Sequence, residues 1–137
     1  MAATEIFDIR TTSRVETIDV TSLVRNAIRK SGVDGGLCCV FCPHTTAGLT
    51  IQENSDPQVK AAINDHLARS APHDASEPTA QNNYDAHVKA SLIGAQVTLI
   101  VDGGKPLLGT WQAIYFCEYD GPRSRRLLVR VIGDRAP

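Results

Sequence analysis

Aromatic side chains make up only 5% of the 137 residues, and basic and acidic groups nearly cancel, 14 against 15. No apolar run approaches the roughly 18 residues that a membrane span requires. The charge balance excludes the strongly basic surface that draws nucleic acid or anionic lipid without specificity, so neither partner is expected and a small ligand is the better fit. The opening residues Met1-Ala2-Ala3-Thr4-Glu5 lack the basic and apolar stretches of a secretory signal, which makes the cytoplasm the default compartment. P-loop, dinucleotide-binding glycine and nucleophile-elbow patterns are missing too, and with them the common nucleotide and esterase readings. What is present, 42% hydrophobic residues at a net charge of -1, is the make-up of one soluble globular domain over 1–137. A chain of this size removes roughly two-thirds of its unfolded surface from water, so its core needs no disulfide or metal staple and a bound metal would serve function.

Cysteine is also scarce, at four residues. Cys39-Val40-Phe41-Cys42 spells CxxC, half of a zinc or redox motif, but the only other thiols are the adjacent Cys38 and the distant Cys117. The segment from Leu37 to Phe41 has the apolar, partly β-branched look of a strand, in which residues 39 and 42 face opposite ways. Buried, reduced thiols acting as small hydrophobes are therefore expected.

Residues 5–10 and 15–20 alternate polar and apolar side chains around Thr11-Thr12-Ser13, which predicts a β-hairpin. Thr21 or Ser22 should cap a helix carrying Leu23, Val24, Ala27 and Ile28 on one side and ending at Gly32. The cysteine-bearing strand follows Asp34-Gly35-Gly36, and another strand, Gly48 to Gln52, comes after a break at Pro43-His44-Thr45-Thr46. Asp56-Pro57 is a strong helix start, with Val59, Ile63 and Leu67 repeating behind it. From Ser70 to Asn83 no large apolar residue occurs, and a loop of that length is functional or mobile. A short helix over 85–93, a strand over 95–101, and two final strands, 112–119 and 125–132, joined by an Asp120-Gly121 hairpin turn, complete an α+β domain of mostly antiparallel sheet with about three helices.

All four histidines fall between positions 44 and 87, together with Glu53, Asp56, Asp65, Asp74, Glu77 and Asp85. His44 sits in the break between strands, where its side chain can enter a cleft and free backbone N–H groups can meet an anion. His87 and Ser91 share a helix face beside the stripe Ala86, Ala90 and Ile93; such a helix is largely buried, and a histidine there needs a carboxylate, a carbonyl or a metal as partner. Asp65 can form a surface ion pair with Arg69, His66 borders the apolar stripe of its helix as a packing residue, and His73 lies in the polar loop. The segment Lys105 to Gln112, followed by Arg123, Arg125 and Arg126, offers forks for phosphate or, alternatively, a solvated strand face. Trp111, the sole tryptophan, suits a core or subunit-contact position better than substrate stacking.

The strings His44-Thr45-Thr46-Ala47-Gly48-Leu49-Thr50-Ile51-Gln52-Glu53-Asn54, Asp85 to Gly94, and Leu108-Gly109-Thr110-Trp111-Gln112, in that order, resemble the YjbQ-like family, which is linked to secondary thiamine-phosphate synthase activity. The resemblance spans nearly the whole chain. It implies a homotrimer with a histidine-lined pocket near a subunit boundary. It also implies a reaction joining a pyrimidine pyrophosphate to a thiazole phosphate, with His44, Asp65 and His87 as catalytic residues. By the same resemblance Asp65, His73 and His87 hold a divalent metal, zinc first and magnesium with a pyrophosphate substrate, while Glu53 and Asn54 line the ligand site. Thr45, Thr46, Ser91, Arg123 and Arg125 are the candidate donors to phosphate oxygens. A trimeric metal- or anion-binding protein without turnover and a metal-assisted hydrolase are the alternatives. One departure stands out: many members read Gly-Asn-Ala before Asp-Ala-His, and this chain reads Asn82-Asn83-Tyr84, losing a glycine's access to positive φ and adding a ring at the expected pocket rim.

Overall fold

The computed structural model describes residues 3–74 and 82–134. Eight strands, β1 (Thr4–Arg10), β2 (Glu16–Asp19), β3 (Gly36–Phe41), β4 (Ala47–Glu53), β5 (Gln96–Asp102), β6 (Lys105–Pro106), β7 (Gln112–Glu118) and β8 (Ser124–Gly133), alternate with helices α1 (Thr21–Ser31), α2 (Pro57–Ser70) and α3 (Tyr84–Ile93). The strands form two antiparallel sheets, one ordered β1-β8-β3-β5-β6 and the other β2-β7-β4. Single-domain α+β architecture with three helices is thus as the periodicity predicts. No helix among the described residues is long and apolar enough to cross a membrane.

Both predicted hairpins are wrong in their pairing. β1 pairs with β8 and β2 with β7, so residues 11–15 cross from one sheet to the other instead of turning back. Likewise β7 and β8 belong to different sheets, and Asp120-Gly121 leads into a crossing that contains a cis Gly121–Pro122 bond. Alternation reports which face of a strand is buried and carries no information about its partner, so adjacent strands in sequence were the natural but mistaken choice.

The two sheets sandwich the main core. Val40, Leu99, Leu127 and Val129 from the larger sheet meet Leu49, Ile114 and Phe116 from the smaller, with Val24, Ala27 and Ile28 of α1 closing the side. β7 is buried on both faces. Ile114 and Phe116 enter this core, while Ala113, Tyr115 and Cys117 face a second cluster with Leu67 of α2 and Ala86 and Ala90 of α3. Such two-sided burial explains its nearly unbroken apolar run. The molecule is therefore layered: larger sheet, smaller sheet, then α2 and α3.

Helix ends follow the predicted chemistry at α2 and depart from it at α1. Asp56 accepts the Gln58 N–H at 2.9 Å with Pro57 in the first turn. At α1 the cap position is Val20. Asp19 takes the Thr21 N–H at 2.9 Å, and the Thr21 hydroxyl instead accepts the Ile114 N–H of β7. Gly32 ends the helix in the left-handed conformation, as expected. Among the thiols, Cys38, Cys42 and Cys117 are buried, but Cys39 is exposed on the outer face of the larger sheet, which corrects the expectation for that half of the CxxC pair.

Candidate functional site

Three crossings between the sheets, 11–15, 42–46 and 119–123, gather at one end of the sandwich. Backbone bonds tie them: Thr11 N–H to the Arg123 carbonyl (2.9 Å), Gly121 N–H to the Arg14 carbonyl (3.0 Å) and Tyr119 N–H to the Thr46 carbonyl (3.1 Å). Gly121 is required there, because a Cβ would stand 2.2 Å from the Ser13 carbonyl oxygen. Beneath the crossings lies a buried ionic cluster. Arg125 donates from Nε to Glu118 at 2.8 Å and from Nη2 to both Glu118 and the Thr46 hydroxyl, while the Thr11 hydroxyl and the Asp120 N–H also donate to Glu118. Burial pushes the Glu118 carboxyl up, but the Arg125 guanidinium and the other donors outweigh it and hold the group below its ordinary pKa.

On this platform His44, Thr45 and His87 border two adjoining hollows of about 330 and 540 Å³. The smaller is also lined by Asn83, Asp120, Arg123 and Arg125, the larger by Ser91, Gly94 and Ala95. The His44 Nε2 accepts the Arg126 backbone N–H at 2.9 Å. That bond places the imidazole proton on Nδ1, so His44 is a donor and its Nε2 lone pair is already used. Burial, and then the Arg125 cation, lower the His44 pKa, which keeps the ring neutral near pH 7. Neither the Thr45 hydroxyl nor its N–H is bonded among the described residues, and no described side chain hydrogen-bonds the His87 ring. Ser91 donates back to the His87 carbonyl at 2.8 Å, which leaves its oxygen lone pairs as acceptors.

The arginines behave differently from the sequence expectation. Arg125 points inward and spends its fork on Glu118, and Thr46 is buried with it. Arg123 reaches the rim but pairs with Asp120, donating from Nη2 at 2.8 Å and from Nε to the Asp120 carbonyl at 2.8 Å. Asn83 joins the same carboxylate at 2.9 Å. Each cation at the hollow thus arrives with an acid beside it. Glu118, Asn83, Asp120 and Thr11 were not singled out by sequence reasoning. The available signal was parity, since Arg125 shares its side of β8 with Leu127, Val129 and Val131.

Helix α3 is locked in place by Asp85, which binds Arg14 through both oxygens (3.0 and 3.1 Å) and the buried ammonium of Lys89 at 3.1 Å. Burial pushes the Asp85 carboxyl up, but the two cations win and bring it down to about 2. At the other end of α3, Gly48 is needed for contact, because a Cβ there would meet the Gly94 carbonyl oxygen at 2.5 Å. Asn82 adopts φ +43°, so the position before α3 takes a left-handed conformation without a glycine. Tyr84 is exposed and lines neither hollow.

The remaining motif residues lie elsewhere in the subunit. His73 is exposed and donates from Nε2 to the Asn82 carbonyl at 3.0 Å, which leaves its Nδ1 lone pair available. Asp65 is exposed on α2 and makes no ion pair with Arg69 among the described residues; Arg69 lies 3.4 Å from His66 Nδ1 instead. Glu53 is tied to the entry of α2, accepting from the Ser55 N–H and hydroxyl and from the Asp56 N–H. The Ser55 hydroxyl is the chief cause of its lowered pKa. Glu53 and Asn54 sit at the end of β4 away from the hollows, roughly 20 Å along the strand from Ala47. Exposed Trp111, whose carbonyl accepts the Asn54 N–H, is not a core residue. Glu77 lies outside the described residues. Among those described, no three His, Cys, Asp or Glu side chains gather to hold a metal ion.

A two-sheet α+β subunit with a polar, histidine-bordered hollow where its crossings converge defines the class of protein. The family model described as UPF0047 protein YjbQ-like matches residues 5–134, and the chain belongs to that family. It is 46% identical to a UPF0047 protein of Methanocaldococcus jannaschii over 94% of each chain. With the UPF0047 protein YugU of Bacillus subtilis it shares 42% identity over 91% of this chain and 96% of the relative. A crystal structure of a YjbQ/UPF0047 family protein from Clostridium acetobutylicum superimposes with a TM-score of 0.89 at 44% identity, covering 93% of this chain and 99% of that one.

Proposed function

We propose that the hollow between His44 and His87 binds a phosphorylated small molecule, and that the reaction is the one the family resemblance implies. In that reaction the thiazole nitrogen attacks the pyrimidine methylene carbon, and the carbon–oxygen bond to pyrophosphate breaks, so the leaving group departs with the electron pair. The juxtaposition of His44, Thr45 and His87 around one hollow carries this reading, because it sets unspent donors around a space of ligand size. The Thr45 hydroxyl and N–H and the His44 Nδ1–H suit phosphate oxygens. Arg125 and Thr46 act one layer down, holding the 43–46 loop.

A divalent cation, zinc or magnesium, would offset charge on the departing pyrophosphate. The His73 Nδ1 and the unpartnered His87 ring fit such an ion, and His44 Nε2 does not. With Asp65 exposed on α2, the proposed His73, His87 and Asp65 set needs donors from beyond the described residues of one subunit. Assembly as a homotrimer would meet that need and would also return Glu53 and Asn54 to a shared pocket. Elemental analysis of protein purified without chelator should find metal in the parent and sharply less in His87→Ala.

The test of the reading is turnover of the two purified precursors with the cation supplied, comparing the parent with His44→Ala and His87→Ala. We expect product from the parent and at least a tenfold loss in each variant. No product from the parent, or equal rates in all three, would move the assignment to an anion-binding protein without turnover.

A further inference from the structure

The two hollows differ at their far ends. His44, Thr45 and His87 border both, whereas Asn83 and Asp120 line only the smaller, of about 330 Å³. These two side chains are bonded to each other, Asn83 Nδ2 donating to Asp120 Oδ2 at 2.9 Å. A carboxylate only accepts, so this bond fixes the amide: its N–H2 faces Asp120 and its Oδ1 turns away. Asp120 Oδ2 also accepts from Arg123 Nη2 at 2.8 Å, while Asp120 Oδ1 and Asn83 Oδ1 receive no hydrogen bond among the described residues. Asn83 is 6% exposed and the Asp120 side chain 13%. Neither oxygen is sealed off, however, because among the described residues the Tyr119 hydroxyl is the one fully buried side-chain oxygen or nitrogen without a partner. Both therefore open onto the hollow that their residues line, as two sheltered acceptors awaiting donors.

We propose that this end of the smaller hollow recognises an amino-substituted heteroaromatic ring, whose exocyclic N–H2 gives one hydrogen to Asp120 Oδ1 and the other to Asn83 Oδ1. An anion does not fit here, since a phosphate oxygen would meet a carboxylate and an amide oxygen, neither of which can donate. Phosphate is directed instead to the Thr45 and His44 donors that both hollows share, and the ligand lies with its anionic end there and its N–H-bearing end against Asn83. An alkylammonium is disfavoured as well, because Arg123 already offsets the Asp120 charge. This inference rests on the reading of the hollow as the ligand site and adds that the pyrimidine it takes carries an amino group. Specificity follows from the same geometry. A ring that lacks the N–H2 leaves both acceptors unpaired in a sheltered place, which discriminates more strongly than a difference in apolar contact.

NMR titration with 4-aminopyrimidine, 4-pyrimidone and butylamine, on the parent and on Asp120→Asn, tests it. In 4-pyrimidone a carbonyl oxygen stands where the amino group was. In Asp120→Asn, Arg123 and Asn83 hold the new amide by its oxygen, which turns its N–H2 into the hollow and puts a donor in place of an acceptor. The expected result is that the parent binds 4-aminopyrimidine at least tenfold more tightly than either other probe, and that the variant loses at least tenfold in affinity for it and prefers 4-pyrimidone. Equal affinity of the parent for the two rings, or binding of neither, overturns the proposal, and so does an unchanged preference in the variant. Butylamine bound as tightly as 4-aminopyrimidine overturns the assignment of a ring. Should the variant lose its fold by circular dichroism, the parent's ranking of the three probes decides. Inorganic pyrophosphate on the parent separates this inference from the phosphate reading: pyrophosphate bound without ring discrimination overturns the amino-ring end alone, and ring discrimination without pyrophosphate binding supports that end and overturns the phosphate reading.

Discussion

Arg125 and Glu118 show how a polar pair can be structural where the sequence suggests a ligand contact. Both are buried, and Thr11, Thr46 and the Asp120 N–H complete their bonding. Removing one partner strands the other charge, so Arg125→Met should lower stability by about 3–5 kcal/mol in urea unfolding, and the double variant Glu118→Leu/Arg125→Met should recover most of it. A loss under about 1 kcal/mol in the single variant would show the pair to be dispensable. The Asp85 cluster gives a pH signature. Its folded pKa of about 2 lies below the ordinary 3.8, so its contribution is complete above about pH 5 and drains as pH falls from there toward 2. Glu118 titrates with the same sign. The slope of stability against pH between 5 and 2 should therefore be shallower in Asp85→Asn than in the parent, and equal slopes would contradict the assignment. At this scale the sequence revealed which residues could do chemistry but not which were already engaged. The spent Nε2 of His44 depends on a backbone N–H 82 residues away.

Elements were more legible than their partners. All three helices and the six longer strands stand close to where periodicity puts them, because each has one face that must be buried. β2 is shorter than its alternating pattern, and two-residue β6 has too few side chains to show any pattern. The two hairpins failed because the links run between sheets, and such crossings are fixed by long-range contacts such as Thr11 with Arg123. Those same crossings create the hollow, so misreading them concealed why the histidines meet. Packing of α3 on β4 gives a test at this level. Gly48→Ala would press a Cβ to 2.5 Å from the Gly94 oxygen, and a forced shift of this kind costs about 1–3 kcal/mol. The melting temperature should fall, and ligand binding should weaken with it because His87 rides on α3. Asn82→Ala, at φ +43°, should cost about 1 kcal/mol more than Asn82→Gly in urea unfolding.

For the whole molecule, composition indicated one domain, and the fold is a single α+β domain. β3 carries apolar side chains in both parities, a pattern of strands buried on two faces, yet its Leu37, Cys39 and Phe41 are exposed. Glu53, Asn54 and Asp65 lie apart from the histidine hollow and line neither of its two parts. The central claim, however, concerns the hollow itself. Calorimetric titration with inorganic pyrophosphate, run on the parent, Thr45→Val and His87→Ala, tests it most directly. The account predicts saturable binding to the parent and at least tenfold weaker binding to both variants, a difference of about 1.4 kcal/mol or more; equal affinity in all three proteins, or no binding to the parent, would contradict it.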